Sequence, residues 1–129
     1  MGKLVCVVED NVSIRKLECL LLKKAGYNVA DFGEGLVALE WIKNNRPDLM
    51  LLDILLPDTN GTDVMKEIKA MPGRNDFPIV AATGFVQLSD RERYLDEGFD
   101  AYIGKPLDVA NFTSQLSQIC SDYEQNDKK

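Results

Sequence analysis

The sequence predicts an α/β protein in which a five-stranded parallel sheet is covered by helices on both faces, a doubly wound sheet. Short, continuous apolar runs recur along the 129 residues, and runs without polar alternation are typical of strands buried on both faces. Between these runs lie longer segments whose apolar residues recur at helical spacing. Strands and helices that alternate in this way build a parallel sheet through right-handed crossovers.

The first strand and helix come directly after the N-terminus. Lys3 to Val8 is a short run rich in β-branched residues, and two carboxylates follow it. The next segment has apolar residues at helical spacing from Ile14 to Ala25, and Gly26 is typical of a helix C-terminus. We expect Asn11 or Ser13 to cap the N-terminus of this helix.

The central strand follows a weaker strand, from Tyr27 to Phe32, and a helix that is predicted to end at Asn45. Leu49 to Leu52 are four consecutive large apolar residues, and Asp53 comes directly after them. Pro57 then stops any continuation of the strand. The most buried strand therefore ends on a carboxylate, at the edge where open α/β sheets bind their ligands.

The second half of the chain continues the alternation. A turn from Asp58 to Gly61 leads into a helix with apolar residues at helical spacing. A fourth strand is predicted from Pro78 to Ala82, a polar helix from Ser89 to Glu97 and a fifth strand from Phe99 to Ile103. A last amphipathic helix is predicted to end near Asp122.

Composition limits the class of function. We expect one domain over residues 1–123 and a flexible C-terminal tail over residues 124–129. The net charge of −6 makes phosphate-driven binding of nucleic acid or of an anionic membrane unfavourable, so we expect neither partner. The three cysteines are odd in number and widely spaced, which is typical of reduced thiols in a cytoplasmic protein. The chain has no histidine, which excludes histidine-based catalytic triads.

Charged or hydroxyl side chains, which can bind a metal ion or phosphate, follow four of the five predicted strands. They are Glu9 and Asp10 after the first strand, Asp53 after the third, Thr83 after the fourth and Lys105 after the fifth. Each alone has an ordinary explanation, such as a solvated helix start or a turn. If the strands lie in the order 2-1-3-4-5, however, three carboxylates meet at one edge of the sheet.

Such a cluster favours a site for Mg²⁺ and phosphate. Carboxylates that converge raise each other's pKa, and Mg²⁺ relieves their repulsion because it binds carboxylates, waters and phosphate oxygens. Lys105 would then supply a cation for a phosphoryl oxygen, and Thr83 a hydroxyl donor.

Four segments, in this order and spacing, resemble the receiver domain of bacterial two-component response regulators over nearly the whole chain. They are Val8 to Asn11, Leu52 to Pro57 with Gly61, Ala82 to Gly84, and Ala101 to Pro106. The resemblance implies a flavodoxin-like (βα)5 fold with strand order 2-1-3-4-5. It also implies a signalling phosphoprotein that assists its own phosphorylation and dephosphorylation rather than a classical enzyme.

The resemblance assigns roles to the acidic residues. Asp53 is expected to accept a phosphoryl group from a sensor histidine kinase or a histidine phosphotransfer protein. Asp10 and Asp53 are expected to bind Mg²⁺ directly, Glu9 through a water, and Leu55 through its backbone carbonyl.

The remaining site residues are expected to contact the phosphoryl group or to change conformation when it is present. Lys105, joined by a cis bond to Pro106, would pair with the phosphoryl group, and Thr83 with Tyr102 would form a switch pair. The segment from Val86 to Leu107 would carry the signal to a downstream effector protein, through the face built by the fourth helix, the fifth strand and the fifth helix.

Two alternative functions stay open. A flavodoxin-like FMN-binding protein would need a loop rich in Ser, Thr or Gly after the first strand, where this chain has Glu9-Asp10-Asn11. A phosphatase with an aspartyl-phosphate intermediate usually has a second acid where Leu55 stands.

Because the chain ends soon after the last helix, we expect a stand-alone receiver rather than an excised domain. It resembles both cell-cycle regulators of the DivK type and phosphorelay intermediates.

Overall fold

A computed structural model describes residues 3–73, 76–84, 88–105 and 108–127. Within them, strands and helices alternate along the chain. The strands are β1 (Leu4–Val8), β2 (Asn28–Phe32), β3 (Leu49–Asp53), β4 (Ile79–Thr83) and β5 (Ala101–Gly104). The helices are α1 (Val12–Lys24), α2 (Gly35–Ile42), α3 (Gly61–Lys69), α4 (Leu88–Glu97) and α5 (Phe112–Asp127).

The strands form one parallel sheet in the order β2-β1-β3-β4-β5, which confirms the predicted topology. The chain places β2 on one side of β1 and places β3, β4 and β5 on the other side, so β1 and β3 are neighbours. Val8 lies beside Leu52 in the register, and Thr83 lies beside Gly104. The carboxyl ends of β1, β3, β4 and β5 therefore meet at one edge.

Alternate residues of the buried strands pack on opposite faces of the sheet. Every residue of β3 and β4 is buried. Met50 and Leu52 pack with α2 and α3, whereas Leu49 and Leu51 pack with residues of α1 and α5. Because both faces of the central strands are covered, the prediction of a doubly wound sheet is confirmed.

Helix α5 is longer than its amphipathic pattern indicates. It continues to Asp127, whereas the sequence predicted an end near Asp122. The extension contacts the start of the chain, where Lys3 Nζ lies 2.8 Å from Glu124 Oε1. The predicted end of the helix was therefore wrong, while the flexibility of residues 124–129 stays a prediction. None of the described helices is both long and apolar enough to span a bilayer.

Candidate functional site

Three carboxylates meet at the carboxyl edge of the sheet. Glu9, Asp10 and Asp53 each place a carboxylate oxygen within 4.8 Å of the others. Glu9 and Asp53 are buried, with exposed fractions of 2% and 7%, whereas Asp10 is exposed. Oxygen donors in a partly buried anionic cluster are the ligands that Mg²⁺ and Ca²⁺ prefer, so these residues fit a divalent cation.

Lys105 joins two members of this cluster. Its Nζ donates to Asp53 Oδ2 at 3.2 Å and also to Glu9 Oε1. Burial opposes the charge of the ammonium, but the hydrogen bond to Glu9 and the charge of Asp53 outweigh burial and raise the pKa of Lys105. The backbone N–H of Lys105 donates to Thr83 O at 2.9 Å, which attaches the residue to the end of β4. Lys105 is thus a fixed cation facing Asp53.

Backbone contacts at the end of β1 hold Glu9 in place. Its N–H donates to Phe32 O at 3.0 Å, and its Oε2 accepts from Asn11 N at 3.1 Å. Arg15 Nη1 donates to the Glu9 carbonyl at 3.0 Å, and Arg15 Nε lies 3.4 Å from Asp31 Oδ2. Sequence reasoning missed Arg15, which contributes a second positive charge near the acidic edge.

The turn after β3 packs directly against the Asp53 backbone. Gly61 N donates to Ile54 O at 2.8 Å, and Leu55 forms an isolated bridge with Asn60. A Cβ atom on Gly61 would overlap the Asp53 carbonyl oxygen and lie 2.9 Å from Ile54 Cα. Gly61 therefore permits a backbone approach that fixes the position of Asp53.

Replacing Gly61 with Ala is expected to lower the free energy of unfolding by about 2 kcal/mol, because backbone atoms must move to admit the methyl group. Urea unfolding followed by circular dichroism measures the change. Gly84→Ala is the matched control, since a Cβ atom there meets nothing within 4 Å. Equal stabilities of the two variants would contradict the steric argument.

The same turn also caps a neighbouring helix. The Asp58 carboxylate accepts from Gly35 N at 2.9 Å and from Leu36 N at 2.8 Å, at the first turn of α2. Glu34, which occupies the N-cap position of α2, makes no side-chain capping hydrogen bond. The β3–α3 turn therefore supplies the cap that α2 lacks.

The two residues of the predicted switch pair lie on adjacent strands. Thr83 is buried at the end of β4, and Tyr102 is half-buried on β5. The Tyr102 ring is nearly parallel to the ring of Tyr94 on α4, with centroids 6.2 Å apart. Their role as a switch stays a prediction. The predicted cis bond involves Pro106, which lies outside the described residues.

A buried acid near the site, in addition to Glu9 and Asp53, was not predicted. Glu18 on α1 is 1% exposed, and neither of its carboxylate oxygens has a hydrogen-bond partner among the described residues. Burial raises the pKa of Glu18 to about 8, with contributions from Glu9 and Asp53 that are partly offset by Lys105. Helical spacing could have located it, because Glu18 lies four residues after Ile14 and four before the buried Leu22.

Residues 5–117 match the family model of the response regulator receiver domain. The chain belongs to this family. A curated relative, the polar-differentiation response regulator DivK of Brucella anthropi, is 37% identical over 122 residues, covering 95% of this chain and 99% of the relative. The receiver domain is thus DivK-like, and neither FMN binding nor a phosphatase activity is favoured.

Solved structures agree with the receiver fold. A putative response regulator from Chloroflexus aurantiacus superposes with a TM-score of 0.87 at 26% identity, covering 94% of this chain and 99% of that one. The receiver domain of the sensor histidine kinase PA1611 from Pseudomonas aeruginosa superposes with a TM-score of 0.84 at 29% identity, with the same coverage. That structure has a magnesium ion coordinated in its active site cleft.

Proposed function

We propose that this receiver domain accepts a phosphoryl group on Asp53. The observation that carries the proposal is the position of Asp53 at the end of the central strand, 3.2 Å from the Lys105 ammonium and within 4.8 Å of the oxygens of Glu9 and Asp10. Phosphoryl transfer depends mainly on positioning and on neutralisation of charge. A carboxylate surrounded by a fixed cation and a cation-binding cluster meets both requirements.

Mg²⁺ is the cation that suits this cluster and a phosphate together. Asp10 and Asp53 would bind it directly, Glu9 through a water, and Leu55 through its backbone carbonyl. When bound, Mg²⁺ would neutralise part of the charge of the phosphoryl oxygens. The magnesium ion in the PA1611 receiver domain supports this assignment by similarity.

The other site residues would respond to the added charge. Lys105 would exchange its bond to Asp53 for one to a phosphoryl oxygen, and the Thr83 hydroxyl would donate to another. Tyr102, which lies on the strand next to that of Thr83 and whose ring is nearly parallel to the ring of Tyr94 on α4, would follow Thr83 into a second arrangement. Phosphorylation then acts as a shift between two populations.

Receiver domains exchange signals with histidine kinases and downstream effectors. We place the effector surface of this chain on the face formed by α4, β5 and α5. A groove beside β5, lined by Tyr102, Asp108 and Gln115, lies next to the proposed switch residue. Within the predicted output segment, residues 86, 87, 106 and 107 lie outside the described residues.

Incubation with acetyl phosphate tests the proposal. In the presence of Mg²⁺, the intact mass is expected to increase by one phosphate, and chelation of Mg²⁺ beforehand is expected to prevent the increase. Acetyl phosphate suits the test because it needs no cognate kinase. The absence of any mass increase, with acetyl phosphate or with a second small phosphodonor, would contradict the proposal.

A further inference from the structure

Glu18 is a buried acid that phosphoacceptor chemistry does not use. It is 1% exposed, and both of its oxygens lack a hydrogen-bond partner in the described ranges. An ionised carboxylate in such surroundings loses its hydration without compensation, so burial favours the neutral carboxylic acid. Glu18 therefore differs from Glu9 and Asp53, whose carboxylate oxygens accept hydrogen bonds from Lys105.

The charges that act on Glu18 belong to the candidate site. Glu9 at the end of β1 and Asp53 at the end of β3 favour its neutral form, whereas Lys105 after β5 favours its ionised form. On α1 itself, Arg15 pairs with Asp31 of β2 and donates to Glu9 O, and Cys19 is a partly buried thiol.

Helix α5, which covers the same face of the sheet, adds little charge. The residues that it contributes to the core there are Phe112, Leu116 and Cys120. Of these, only the Cys120 thiol titrates, and burial raises its pKa above the usual value. Burial is the largest cause of the raised pKa of Glu18, and among charged groups those of the acidic edge act on it most strongly.

We propose that Glu18 is a proton store coupled to the acidic site, which keeps its proton while Lys105 bridges Glu9 and Asp53 and releases it when a divalent cation joins the cluster. The step moves one proton from the Glu18 carboxyl to solvent as two positive charges enter the site. This inference rests on the proposed function in one respect, that the cluster of Glu9, Asp10 and Asp53 binds Mg²⁺.

The sign of the coupling follows from electrostatics. A cation near Glu18 stabilises its carboxylate, so Mg²⁺ lowers the pKa from its metal-free value of about 8. By reciprocity, ionised Glu18 strengthens Mg²⁺ binding, so the affinity rises with pH while Glu18 titrates. Release of one proton limits this rise to about tenfold per pH unit.

The composition of the chain leaves few other side chains that titrate in this pH range. The chain has no histidine. Burial also raises the pKa values of the thiols, which are Cys6, Cys19 and Cys120. A proton that is released near pH 7.5 on Mg²⁺ binding by the wild type, but not by Glu18→Gln, can therefore be assigned to the Glu18 carboxyl group.

Isothermal titration with Mg²⁺ at pH 7.5, in two buffers of different ionisation enthalpy, counts the released protons. The wild-type protein is expected to release a fraction of a proton approaching one per Mg²⁺, and Glu18→Gln close to none. The matched control is Glu67→Gln, the same change at an exposed position of α3, which should release as many protons as the wild type. Affinity should rise with pH in the wild type and stay nearly flat in Glu18→Gln.

Each outcome decides a different point. Mg²⁺ binding without proton release in the wild type, or equal release by Glu18→Gln, overturns the coupling and leaves the cation site intact. A wild-type protein that binds no Mg²⁺ overturns the cation site and the coupling together. Infrared spectra of the metal-free protein at pH 7 should show a carboxylic acid band that Glu18→Gln lacks, and Glu18→Leu replaces that variant if it fails to fold.

Discussion

Replacing Asp53 with Asn is expected to abolish phosphorylation by acetyl phosphate completely. A carboxylate oxygen is the nucleophile in the proposed transfer, and a neutral amide cannot replace it. The change preserves side-chain size at a position that is 7% exposed, so the fold should survive. Intact mass spectrometry after incubation with Mg²⁺ and acetyl phosphate measures the loss.

Asp63→Asn is the control for this variant, because it makes the same chemical change on an exposed residue of α3. It should gain one phosphate as the wild type does. A phosphate gain by Asp53→Asn that equals the wild-type gain would show that another residue is the acceptor.

Replacing Glu18 with Leu is expected to stabilise the protein by about 3–5 kcal/mol at pH 8 and much less near pH 4.5. The pKa of Glu18 is about 8 in the folded protein and near its ordinary value of 4.5 in the unfolded chain. Between these values the folded state binds more protons, so wild-type stability falls as pH rises, by at most about 1.4 kcal/mol per unit. Leucine removes this loss because it cannot ionise.

Urea unfolding at pH 5, 6.5 and 8 measures the effect. The difference in unfolding free energy between Glu18→Leu and the wild type should grow with pH. Glu67→Leu, at an exposed position of α3, should show no such growth. A difference that is constant across the three pH values would mean that Glu18 has the same pKa in both states.

The sequence was most informative about the sheet. The continuous apolar runs before Glu9, Asp53 and Thr83 can be buried only in strands covered on both faces, so the positions of these side chains at strand ends follow directly. The strand order does not follow from periodicity, and it came from the resemblance to receiver domains. The meeting of Asp10 with Asp53 depends on that order.

The features that the sequence analysis did not predict depend on contacts between segments that are distant in the chain. Glu18 was overlooked because a search for apolar periodicity passes over a charged residue, even one at the centre of the buried side of a helix. The end of α5 was misplaced because its polar last turns are held by a contact between Lys3 and Glu124, which are 121 positions apart. The role of Arg15 likewise required the positions of β1 and β2.

The cap that Asp58 provides for α2 has a mechanical consequence. Hydrogen bonds from Gly35 and Leu36 to Asp58 connect the first turn of α2 to the turn that follows β3. Any displacement of that turn would pull on α2 or leave two amide groups without acceptors. Amide hydrogens of Gly35 and Leu36 should therefore exchange with solvent in step with those of the β3–α3 turn, as parts of one cooperative opening unit.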